Sequence, residues 1–325
     1  MMKTKTTVSY SPFRSLVILG FNFIVCFSSA QYDRGISYYK DANAMKLIYD
    51  SVLYAEGWNT LPQTKFWQQI MSLTPDSAII NVAESRQMIG RVSIKEWNKL
   101  SDAQQAVFRD HLRNKYKISD TIPLFVTIGK KNFYEFKKVI PAISKSIEIF
   151  EYNHVDPWYA QAILLIESPG KTTTKSIVGA NGPFQLMKQV ARNQGLVVNK
   201  YVDERTNIEK AALAASRLLS RICIPHVRAM LDAAQIPYNQ NDLWFRLLVL
   251  HAYHAGAGNV RGVIAKINPC EGGMELMQTV WKTTYRGFKN SSQNYSQLAL
   301  AAFCNFHQIV TEQQPPLVTD AVRID

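Results

Sequence analysis

Apolar and polar positions are distributed very unevenly along this chain. In the stretch DPWYAQAILLIESPGKTTTKSIVGANGPFQLM, from Asp156 to Met187, positions Trp158, Ala160, Ala162, Ile163, Leu164, Leu165 and Ile166 leave almost no polar face. Such a run predicts a central helix buried on all sides rather than a surface helix. Asp156 and Pro157 supply an N-cap and first-turn pair, and Pro169 and Gly170 stop the helix just past Glu167. Amphipathic spacing predicts further helices at about 184–194, 207–222, 241–255 and 294–310. Upstream, residues 36–74 carry helical patterns such as YYKDANAMKLIYDSVLYAEGW. Ser101 followed by Gln104 forms a capping box that opens SDAQQAVFRDHLRNKY. Two β-rich runs interrupt these helices, SAIINVA at 77–83 and IPLFVTIG at 122–129. The second leads through Lys130 and Lys131 into FYEF, which reads as a hairpin.

These patterns divide the chain into a mixed, mostly helical module at 31–150, a mainly helical domain at 151–310, and a Pro-containing peripheral tail at 311–325. Residues 1–30 have a different character. Lys3, Lys5 and Arg14 precede the apolar run Ser15 to Phe27, and Ser28, Ser29 and Ala30 close it. This is the layout of a cleaved export signal, with Gln31 as the new N-terminus. The run is short for a membrane span, and no other segment reads as one. Cys26 follows Phe23, Ile24 and Val25 rather than the small residues of a lipoprotein signal, so a soluble exported protein is expected.

Composition, 47% hydrophobic and 19% charged over 325 residues, is that of a folded globular protein. The formal charge of +12 falls to +9 once residues 1–30, with three basic and no acidic side chains, are set aside. That excess favours an anionic partner. Nucleic acid is disfavoured by the export signal and by the lack of a helix interleaving basic and base-stacking residues. No cofactor is expected, and no metal either: His251 and His254 stand three apart, but no H-E-x-x-H occurs. Cys223, Cys270 and Cys304 remain after cleavage, an odd number that permits one disulfide or none.

The chemistry centres on Glu167. It is a lone carboxylate at the end of the apolar helix, and the next acidic residue is Asp203. Between them lie Lys171, Lys175, Lys188, Arg192 and Lys200. Burial raises a carboxyl pKa, so an acid in this position is either structurally paired or chemically used.

Five ordered segments then carry a resemblance over about residues 151–310. They are Glu167-Ser168; Ser176, Gly179, Ala180, Gly182 and Gln185 within SIVGANGPFQLM; the run Gly195 to Leu219; AYHAGAGNV at 252–260; and Asn294-Tyr295. Together they resemble the lytic transglycosylases with a soluble-lytic-transglycosylase (SLT), lysozyme-like domain, and most of all the membrane-bound lytic murein transglycosylase D type. The resemblance implies a goose-lysozyme-like helical domain that cleaves peptidoglycan glycan strands without water, giving 1,6-anhydro-muramoyl ends. It implies Glu167 as the catalytic acid, and Ser168, Ser176, Gly182, Gln185, Tyr253 and Tyr295 as supporting or substrate-binding residues. Ser168 is expected to fix the Glu167 rotamer and Gln185 to contact sugar. Residence would be periplasmic, outer-membrane associated or extracellular. Departures are Phe184 before the glutamine, Pro169-Gly170 after Glu-Ser, and His254 in place of the family's asparagine.

Two alternatives stay open on sequence alone. A goose-type-lysozyme-like hydrolase needs a second carboxylate, for which Asp203, Glu204, Asp242 and Glu271 are available. A non-catalytic wall-binding or scaffold protein would have kept the fold and lost the acid, whereas Glu167 is present.

Overall fold

A computed structural model describes residues 34–40, 43–83, 85–130, 133–170 and 175–312. Residues 1–30, where an export signal is expected, Lys131, Lys171 and most of the tail lie outside these residues.

The chain begins with strands β1 (Arg34–Lys40) and β2 (Asn43–Tyr49), paired antiparallel. A single turn α1 (Val52–Ala55) leads to α2 (Pro62–Ser72). Strands β3 (Ser77–Val82) and β4 (Met88–Ser93) follow, then a turn α3 (Ile94–Trp97), helix α4 (Asp102–Tyr116) and strand β5 (Leu124–Ile128). The remainder is helical: α5 (Ile140–Tyr152), α6 (Trp158–Glu167), α7 (Lys188–Asn193), α8 (Ile208–Leu218), α9 (Ile224–Ala233), α10 (Leu243–Ala255), α11 (Ala257–Ile267), α12 (Met274–Val280) and α13 (Asn290–Thr311). The molecule is therefore mainly α, and among the described residues its strands all lie between residues 34 and 128.

Helix α6 is buried from Trp158 to Ile166, as its unbroken apolar sequence requires. It packs against α5, α10, α13 and β2. Burying each of its large aliphatic side chains is worth about 1.5–3 kcal/mol. Asp156 Oδ1 accepts a hydrogen bond from the Trp158 N–H at 2.9 Å, and its other oxygen takes the Arg246 guanidinium at 2.7 Å. The helix start is thus tied to α10.

Two sequence expectations are corrected. Residues 36–40 and 43–49 form strands, not a helix. The only polar residue in the middle of α6, Gln161, explains part of this. Its amide oxygen accepts from the Ile48 N–H at 2.9 Å, and its amide nitrogen donates to the Ile48 carbonyl at 2.8 Å. A buried side chain therefore completes the hydrogen bonding of β2 in the way a neighbouring strand would. The second correction concerns β5. It pairs with β3, in the order β4-β3-β5, and not with FYEF, which runs as irregular chain into a short turn at Phe136–Lys138. The capping box of α4 is present as read: the Gln104 N–H donates to Ser101 Oγ, and the Gln104 side chain accepts from the Ser101 N–H.

The main core runs across residue 150. Leu47, Ile48, Leu53 and Trp58 belong to the same buried cluster as α5, α6, α10 and α13. The three-stranded sheet and α4 close a separate small cluster around Ile80, Ile89, Trp97 and Leu112.

Candidate active site

Glu167 is the last residue of α6, delivered to the surface by a helix that has nowhere else to move. Its neighbour in space comes from α13: the Tyr295 hydroxyl donates to Glu167 Oε1 at 2.8 Å. Glu167 keeps part of its surface open, yet burial pushes its carboxyl from the ordinary 4.5 up to about 7. The Tyr295 hydrogen bond and the Lys130 ammonium act in the opposite sense, favouring the charged form. The hydroxyls of Tyr295 and Tyr253 are held well above their usual pKa, first by burial and then by the nearby Glu167 charge, so both serve as hydrogen-bond donors.

The residues after Glu167 face the turn that follows rather than the carboxylate. Ser168 Oγ donates to the Pro183 carbonyl at 2.9 Å and the Tyr253 hydroxyl to the Phe184 carbonyl at 2.7 Å. Both expected supporting residues thus hold the turn against the helix end; Ser168 does not grip Glu167 directly. Ser176 Oγ accepts from the Ala180 N–H at 2.9 Å, closing the first bend. Gln185 sits at φ +46°, and its amide nitrogen donates to the Gly182 carbonyl at 2.7 Å inside the turn. Gly182 has φ +77°, and a Cβ there would lie 1.8 Å from the Arg205 carbonyl oxygen. No other residue fits. Phe184 is fully buried and stacked on Phe150, with centroids 5.9 Å apart, so this departure fills core rather than cleft. His254 lies flat on Tyr295, ring centroids 4.3 Å apart and 19° from parallel.

Sequence reasoning missed the clasp on this turn. Arg205 is buried and donates to the Gly179 carbonyl at 2.8 Å, to the Leu186 carbonyl at 2.9 Å, and to both Asp203 oxygens at 2.9 and 2.7 Å. Asp203 also accepts from Asn181 Nδ2 at 2.9 Å, and these bonds, led by Arg205, pull its pKa down to about 2. The only signal available was a charged pair two apart in VDERTN. Of the other carboxylates considered for a second catalytic role, Glu204 pairs with Lys210 and accepts from the Val197 N–H, and Asp242 accepts from Trp244 Nε1.

Other features supply no competing chemistry. A cavity of about 570 Å³ lies at the opposite end of α6, lined by Asp156, Tyr159, Tyr238, Asn239 and Phe245, but its one carboxylate is taken by Arg246. Among the described residues no group of three or more His, Cys, Asp or Glu is arranged to hold a metal ion, and no helix is long and apolar enough to cross a membrane. His251 is buried against Ser296 Oγ, and Cys223, Cys270 and Cys304 are free thiols.

Residues 146–268 match the family model of the transglycosylase SLT domain. The matched segment begins within α5, spans Glu167, the turn and Tyr253, and stops short of Tyr295. No curated protein sequence matches the chain. Among solved structures it is similar to an inactive mutant of the lytic transglycosylase Slt from Pseudomonas aeruginosa, at 15% identity and a TM-score of 0.36, over 68% of this chain and 33% of that one. The chain thus spans about a third of that protein's length, and a likeness at that score carries no argument.

Proposed function

We propose that the protein is a peptidoglycan lytic transglycosylase with Glu167 as its single catalytic acid and base. One observation carries this reading: within the SLT-type segment, a carboxyl at the end of a buried helix has its pKa raised to about 7 and is held by one tyrosine. A group with that pKa is protonated often enough to donate and ionised often enough to accept near neutral pH. Glu167 protonates the glycosidic oxygen between the muramoyl and glucosaminyl units as that bond breaks. The resulting carboxylate then takes the proton of the muramoyl C6 hydroxyl as its oxygen closes on C1. Water is neither consumed nor admitted as nucleophile, so no second carboxylate is needed. Tyr295 orients Glu167, while Ser168, Tyr253 and Gln185 fix the turn that borders the substrate. The run Gly195 to Leu219 supports the finer reading of a membrane-bound lytic murein transglycosylase D type, and residues 1–30 support export to the periplasm.

The test is mass spectrometry of muropeptides released from purified peptidoglycan. Products lighter by one water than reducing muropeptides are expected. Glu167→Gln should lower their formation by about 10²–10⁴-fold, the usual worth of a positioned acid or base. Reducing-end products would overturn the reading in favour of hydrolysis.

A further inference from the structure

The chain segment upstream of α5 reaches the end of α6 that carries Glu167, although it precedes the matched SLT segment. Gly170, three residues beyond Glu167, is pressed against it: a Cβ at Gly170 would lie 2.9 Å from the Phe133 carbonyl oxygen and 3.2 Å from Glu135 Cβ. The Phe133 N–H donates to the Lys130 carbonyl at 3.3 Å, and the Lys130 ammonium lies 4.5 Å from the Phe133 ring centroid. Backbone and ring together therefore hold Lys130 next to the end of α6. The fields of these residues meet at the acid: Lys130 favours ionised Glu167, and the Glu167 charge helps to hold the Tyr134 hydroxyl protonated.

Lys130 is exposed, and among the described residues its ammonium makes no salt bridge, although its charge is felt at Glu167. The nearby acid on its own segment, Glu135, is already paired with Lys138 at 2.7 Å. A cation beside the proposed acid, on a chain of net positive charge, is placed to meet an anionic part of the ligand.

We propose that Lys130 is a specificity-determining residue that receives a carboxylate of the substrate, carried by the peptide stem on the muramoyl unit. The proposal rests on the peptidoglycan reading above. In a stem-bearing strand the lactyl carboxyl of the muramoyl unit is held as an amide, so the free carboxylates belong to the stem and the sugars offer hydroxyls and neutral amides. Lys130 would then distinguish strands with charged stems from strands whose stems are neutral, and a region outside the matched SLT segment would set substrate preference.

The test measures binding of the full chain, made inactive by Glu167→Gln, to two glycan preparations: stem-bearing strands and the same strands with their stem carboxylates converted to neutral amides. Adding Lys130→Met is expected to weaken binding to the charged strands about fivefold, the scale of one partly exposed charge pair, and to leave the amidated strands unchanged. Lys130→Arg should retain most of the preference. Equal weakening on both ligands, or none on either, overturns the role of Lys130. The product masses from the active protein decide the transglycosylase reading separately, so the two can fail independently.

Discussion

A carboxyl group at the end of a helix with no polar face ionises reluctantly, and one hydroxyl moderates that reluctance at Glu167. Burial raises its pKa to about 7, while Tyr295, donating to Oε1, favours the charged form. Because the first chemical step uses the protonated acid, kcat/KM is expected to fall as pH rises through about 7. Tyr295→Phe removes a bond that stabilises the carboxylate. It should move this alkaline limb to higher pH while lowering the maximum rate about tenfold, through lost positioning. A pH–rate profile of the two proteins measures both effects, and a limb that moves downward would count against the assignment. Glu167 and Tyr295 were legible as residues, but the Ser168 and Gln185 contacts were not. Their side chains satisfy backbone carbonyls of a turn whose shape depends on Gly182 and on a left-handed backbone at Gln185.

At the scale of elements, the turn from Ser176 to Met187 has little regular structure and is held from outside by Arg205. Removing the buried guanidinium takes a donor from the Gly179 and Leu186 carbonyls and leaves Asp203 with the Asn181 amide and a backbone N–H. Arg205→Met is therefore expected to cost about 3 kcal/mol in urea unfolding and to lower activity with it. The acid side gives a second readout. Asp203 has a folded pKa near 2, below its ordinary 3.8, chiefly through Arg205. Its stabilisation is present above the ordinary value and lost as pH falls toward 2. Stability measured across that window should fall less steeply in Arg205→Met than in the parent. Elements governed by local chemistry were readable: the α4 capping box and α6 needed only their own residues. Strand β2 was misread as helix because it pairs with β1 on one side and a buried glutamine 113 positions away satisfies its Ile48 backbone, and local periodicity carries no trace of that glutamine.

At the scale of the molecule, residues 32–325 form one compact unit, and the main core takes side chains from both sides of residue 150. Trp158 Nε1 donates to Asp50 Oδ2 at 2.8 Å, and Trp67 Nε1 on α2 donates to Gln297 Oε1 on α13 at 3.1 Å. Arg86, at the β3–β4 turn, donates to Asn294 at 3.0 Å, next to Tyr295. A fragment of residues 146–312 would expose the faces of α6 and α13 that these contacts cover. It is expected to lack a cooperative thermal transition by circular dichroism, although it holds the whole matched segment. A transition close to that of the full chain would show instead that the helical part is stable alone.

The sequence by itself determined the buried helix, the acid at its end and the ordered motifs around it, because apolar runs, caps and turn residues act over a few neighbours in the chain. Only the tertiary structure decided which hydroxyl holds Glu167, that Arg205 clasps the turn, and that Lys130 stands near the acid. Each of these depends on groups brought together across 128, 26 and 37 positions of chain, and such distances are closed by packing of the core rather than by local preference.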